Sequence, residues 1–128
     1  MKTLEEFERA YESLGDALVK HVSLSFKPTI ENQPDITVVL ECFSALIDYE
    51  WVHLELCFSE VQEFRLLSTD RYCLTVVENF SATLLDNVLF FSFVPMIVTP
   101  ETMAEHRDSL FYIACKSFDY QEIEWSED

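Results

Sequence analysis

The sequence predicts an α+β domain, mainly β: an N-terminal helix packed on an antiparallel sheet of about six strands, with one short helix before the last strand. Three observations carry this. The first segment repeats its apolar residues at helical spacing, and the later segments switch to a period of two. No helical stretches alternate with those strands, which excludes the βαβ units of a parallel sheet. Of 128 residues, 49% are hydrophobic and 11 are Phe, which is enough to build a core. Residues 1–128 read as a single domain, without repeat, linker or low-complexity segment.

In chain order, "TLEEFERAYESLG" is a helix. Thr3 and Glu6 form a capping box, Leu4, Phe7, Ala10, Tyr11 and Leu14 make one stripe, and Gly15, the only glycine, stands at the C-terminus. That stripe should cover one face of the sheet. Leu18, Val22, Leu24 and Phe26 then alternate with Val19, His21, Ser23 and Ser25, as in a half-buried strand. "KPTIENQP" breaks it, "DITVVLECF" is the next strand, and "SALID" is a short break. "YEWVHLELCF" is the clearest strand: Val52, Leu54, Leu56 and Phe58 on one face, Trp51, His53, Glu55 and Cys57 on the other. "VQEFRLL" reads as a separate strand, "STDR" as a turn and "YCLTVV" as another strand, while "ENFSATLLD" fits no single period. "NVLFFSFV" is apolar on both faces and belongs centrally; a homodimer or the following helix would cover its second face. In "TPETMAEHRDSL" Thr99 is the expected N-cap and Pro100 the first helical residue. "LFYIACKSF" is a strand, "YQEIEW" a further one, and residues 126–128 should fray. With a single glycine, tight Gly-dependent hairpins are excluded; longer loops should do the turning, with Asn32, Asn79 and Asn87 available for positive φ.

The charge is the most unusual property: 24 acidic against 8 basic residues, a net −16. Nucleic acid and anionic membrane surfaces would be repelled. The balance favours a basic protein partner, or serves solubility alone. Met1 to Leu14 is charged rather than a leader-like apolar run. The longest uncharged run, between Asp86 and Glu101, contains Pro95 and Pro100 and falls short of the ~20 apolar residues a spanning helix needs. A cytoplasmic location is expected. Cys42, Cys57, Cys73 and Cys115 form no CxxC and sit in apolar runs, as buried free thiols of a reducing compartment do.

Two groups of residues raise the question of chemistry. His53, Glu55 and Cys57 share a face, and alternate residues on a strand lie ~7 Å apart, close enough to reach one metal. His21 and Cys42 could add ligands, although no spacing demands it; the other reading is the wet face of a sheet. His53 and Cys57 stand too far apart for a nucleophile–base pair, and His106 lies in no recognisable signature. No phosphate-binding loop can be built around Gly15 alone. Neither a catalytic residue nor a cofactor is expected. The second group is aromatic: Tyr49, Trp51, Tyr120 and Trp125 stand beside Asp48, Glu50, Asp119, Glu122 and Glu124. Aromatic anchors ringed by charge suit a protein-binding surface; alternatively they pack over the second sheet face or under the first helix. The surface expected to meet a partner is Asp48, Glu50, Trp51, Glu55, Glu122, Glu124 and Trp125.

The order of "LGDALVKHVSLSF", "ITVVLECF", "WVHLELCFSEVQEFRLL" and "FYIACKSFDYQEIEW" resembles small acidic bacterial β-meander proteins of the immunity-protein type. The matching positions are Asp16, Phe58 to Val61, and Ser117-Phe118, and the pattern covers most of the chain. Two departures stand out: the loops lack glycine, and "PMIVTPETMAEHRDS" looks like an insertion. The resemblance implies action by binding, with no catalytic residues.

The functional expectation is a non-enzymatic acidic protein-binding module, in its sharpest form an immunity protein that neutralises a basic toxin. The alternatives are a small-ligand or metal-binding β-protein using His21, His53 and Cys57, or a minor subunit of a larger assembly.

Overall fold

The computed structural model describes residues 4–11, 14, 17–26, 34–45, 50–67, 77, 80–94 and 100–125. The expected Thr3 cap, the Gly15 stop, the turn and strand over 68–76, Asp48, Tyr49 and Thr99 lie outside them. The fold is α+β, mainly β. Helix α1 (Leu4–Tyr11) precedes strands β1 (Leu18–Phe26), β2 (Pro34–Ser44), β3 (Glu50–Leu66), β4 (Ser81–Leu85) and β5 (Val88–Ser92). A short helix α2 (Met103–Arg107) then leads into β6 (Phe111–Ile123). The six strands form one antiparallel sheet in the order β1-β2-β3-β6-β5-β4. Among the described residues no helix is long and apolar enough to cross a membrane.

The period-two pattern puts the core where the sequence expects it. Leu54, Leu56 and Phe58 of β3 are fully buried and stand opposite Leu40, Val38 and Ile36 of β2. Phe7, Ala10 and Tyr11 of α1 close this inner face. The Phe7 ring lies 5.4 Å from that of Phe118 and 5.0 Å from that of Tyr120. Phe58 meets Phe91 at 5.0 Å and Phe118 at 5.3 Å. Such aromatic pairs contribute beyond the area they bury.

Several local expectations are corrected. "VQEFRLL" does not start a new strand: β3 runs through it. The apparent boundary is a slip in alternation, since Phe58 and Val61, three apart, are both buried in the core, and Glu60 between them has φ 53 in the left-handed region. The partner strand slips in step, with Cys115 and Phe118 both turned to the core, so pairing survives. "LFYIACKSF" and "YQEIEW" likewise join into the single strand β6. The β4–β5 connection is tight despite lacking glycine: Asp86 and Asn87, at φ 51 and 65, form a two-residue turn. Asn and Asp tolerate this conformation, which matches the twist of the strands it joins. Asn87 thus takes the positive φ expected of it, in a shorter loop than expected. Helix α2 begins later than expected, with Thr102 as N-cap in a capping box with Glu105.

The outer face of the sheet is treated differently at its two ends. Over β4, β5 and β6, α2 provides the cover that "NVLFFSFV" called for, and Phe90 and Phe91, on opposite faces, are both buried. Strand β5 is flanked on both sides, one place in from the edge rather than at the centre. At the other end the sheet stops at β1, where Leu24 and Phe26 are 40% and 72% exposed.

Candidate functional site

The β3–β6 ladder ends at the pair His53–Ile123. Beyond it β3 continues backwards through Val52, Trp51 and Glu50, paired only with Cys42, Phe43 and Ser44 of β2. On the other side Glu124 and Trp125 leave the sheet. The fork between them is a shallow cleft of about 540 Å³ lined by Trp51, Val52, His53, Glu122, Ile123, Glu124 and Trp125. Clefts of roughly 300–1,000 Å³ are the usual size for ligand sites.

Each wall is set by packing. Trp51 lies on Phe43, its register partner, with ring centroids 4.0 Å apart, and remains 46% exposed. Trp125 crosses the outer face to lie 5.4 Å from His21 of β1. Its Nε1 is, among the described residues, a buried donor with no hydrogen-bond partner. Glu122 and Glu124 are exposed. Glu122 Oε1 accepts the Tyr11 hydroxyl at 3.0 Å, tying the end of β6 to α1. Burial, reinforced by this carboxylate, pushes the Tyr11 phenol far above its ordinary range. His53 Nε2 lies 3.7 Å from Glu41 Oε2, which also pairs with Lys20 at 3.3 Å.

Four of the seven expected contact residues, Trp51, Glu122, Glu124 and Trp125, therefore line one cleft. Glu50 is exposed on the residue next to Trp51. Glu55 stands apart, because its Oε1 accepts from Gln121 Nε2 at 2.9 Å and from the Cys57 thiol at 3.6 Å. Asp48 lies outside the described residues. Tyr120, expected among the exposed aromatics, packs under α1 against Phe7 and Tyr11 instead.

The candidate metal ligands do not gather. Cys42 belongs to the inner core, on the face opposite His53 and Cys57. His21 is engaged with Trp125 and His53 with Glu41. Among the described residues no group of three or more His, Cys, Asp or Glu is placed to hold a metal ion. The thiols are poor nucleophiles: burial pushes Cys42 and Cys115 up to about 12, and burial with Glu55 raises Cys57.

One constellation escaped sequence reasoning. His106 is fully buried; its Nδ1 lies 2.7 Å from Ser92 Oγ and its Nε2 3.0 Å from Thr83 Oγ1, with Phe90 packed on the ring at 5.7 Å. A serine beside a histidine suggests catalysis, but Ser92 is itself fully buried and a hydroxyl, not an orienting carboxylate, takes the second ring nitrogen. Burial lowers the imidazole's proton affinity, which favours its neutral form. Beside it Arg107 makes a bidentate pair with Glu63, Nε to Oε1 at 2.6 Å and Nη2 to Oε2 at 3.1 Å, joined by the Tyr112 hydroxyl at 3.2 Å. Together these pin α2 to the sheet.

Comparison with protein-family models, curated proteins and solved structures returns no match to this chain.

Proposed function

We propose that this chain is a non-enzymatic, acidic protein-binding module for a basic protein, with neutralisation of a basic toxin, in the manner of an immunity protein, as its sharpest form. The observation that carries it is the convergence of Trp51, Glu122, Glu124 and Trp125 on one cleft in a chain of net charge −16. The charge steers a cationic partner towards the protein, a rate effect that salt screens over about 8–10 Å. The tryptophans then supply rigid apolar area for docking. A cytoplasmic location is part of this reading, supported by the free thiols Cys42, Cys57 and Cys115.

The test is capture from a lysate of the source organism on the immobilised chain, eluted with a salt gradient. A single basic protein should be retained at low salt and released at high salt. The double variant Glu50→Lys, Glu124→Lys should lose it while remaining folded. Absence of specific capture at low salt, or undiminished capture by that variant, overturns the reading.

A further inference from the structure

We propose that the fork between Trp51 and Trp125 is an anchor pocket for an arginine side chain of the basic partner. This rests on the acidic-module reading and adds which cation the site selects.

Three features lead there. The first is the pairing of aromatic and anionic walls. Trp51 has one part of its ring on Phe43 and 46% of its surface open, at a cleft that also presents Glu122 and Glu124. Tryptophan is the best aromatic platform for a cation. Glu122, opposite Leu54 in the ladder, is held on the α1 face by the Tyr11 hydroxyl, so the exposed Glu124 is the carboxylate that meets the cation.

The second feature is the mixture of surfaces, which separates arginine from lysine. Val52 and Ile123 line the same cleft. A cation entering it must shed water against two indoles and two aliphatic side chains. A guanidinium is weakly hydrated, stacks flat on an indole and presents five donors in a plane; an ammonium is a compact, strongly hydrated charge. Among the described residues, the one basic side chain in the lining, His53, lies beside Glu41.

The third feature is access for a polypeptide. Residues Glu50 to Val52 of β3 extend past the last β6 pair, so the fork opens where one side of the strand has no β6 neighbour. An extended segment can approach there and lower one side chain between the tryptophans. A protein-borne arginine is therefore favoured over a free cation.

The experiment uses the full chain and two capped peptides of equal charge, Gly-Arg-Gly-Arg-Gly and Gly-Lys-Gly-Lys-Gly, with binding followed by calorimetry and tryptophan fluorescence. The arginine peptide should bind about tenfold more tightly than its lysine counterpart. That preference should vanish in Trp51→Ala and shrink in Glu124→Gln, a change at an exposed residue that leaves the fold intact. Should both peptides bind equally and in a salt-sensitive way, the arginine pocket is refuted while the acidic-module reading stands. Binding of the arginine peptide unaffected by either substitution refutes the pocket's location. If neither peptide binds and the lysate yields no basic partner, both readings fall together.

Discussion

Under α2, His106 uses both ring nitrogens on Ser92 and Thr83 and is fully buried. At the opposite end of the same sheet face, Trp125 lies over His21, its Nε1 unpaired among the described residues and a cleft open beside it. Both regions combine a histidine, an aromatic ring and a nearby carboxylate. The difference lies in closure. Where polar atoms find partners inside the chain, the result is a structural clamp with nothing left to offer. Where aromatic and anionic groups stay exposed, they remain open to solvent at a cleft, and the proposed binding role rests on that. Chemically suggestive residues acquire their roles from solvent access and completed hydrogen bonds.

The contrast can be broken by substitution at either end. The largest effect is expected for His106→Ala, which leaves a cavity and strands two buried hydroxyls; a loss of roughly 2–5 kcal/mol is expected in urea denaturation. Affinity of the folded variant for the arginine peptide should be unchanged, and coupled loss of both properties would show that the two ends are not independent. Acid sharpens the same point. Because the folded-state affinity of His106 for a proton is lowered, its unfolded form takes up the proton first. Stability should therefore fall as pH drops through the ordinary histidine range near ~6.5, by no more than about 1.4 kcal/mol per pH unit for one proton. That increment should be absent from His106→Gln when the two pH profiles are subtracted. The smallest effect belongs to the open end: Glu124→Gln should leave stability within about 0.5 kcal/mol of the parent. A larger shift would mean that the cleft carries folding energy.

Much of this was legible in the sequence because period-two alternation reports burial directly. Leu54, Leu56 and Phe58 face the core as their spacing requires. The slip at Glu60 has the form of a strand break in the sequence, since a single residue of positive φ leaves no mark on hydrophobicity. The Asp86-Asn87 turn lacks the glycine that usually marks a tight hairpin. Trp51, Glu122, Glu124 and Trp125, which line one cleft, stand out in the sequence because aromatic residues beside acids are visible locally. The bond from Gln121 to Glu55 joins residues 66 apart, which no local pattern of the sequence shows. The His21–Trp125 contact joins β1 to the segment that follows β6, and no short-range pattern encodes it.

The open sheet gives the charge a second meaning. Strands β1 and β4 end the sheet without a further neighbour among the described residues, and Leu24, Phe26 and Leu84 are exposed on them. Unpaired edges with apolar side chains are templates for chain-to-chain pairing. A net −16 keeps molecules apart, so the acidic surface acts as a colloidal barrier besides the steering proposed for it. That barrier disappears near the isoelectric point of about 4.3, where growth of intermolecular sheet from intact molecules would precede loss of the buried core.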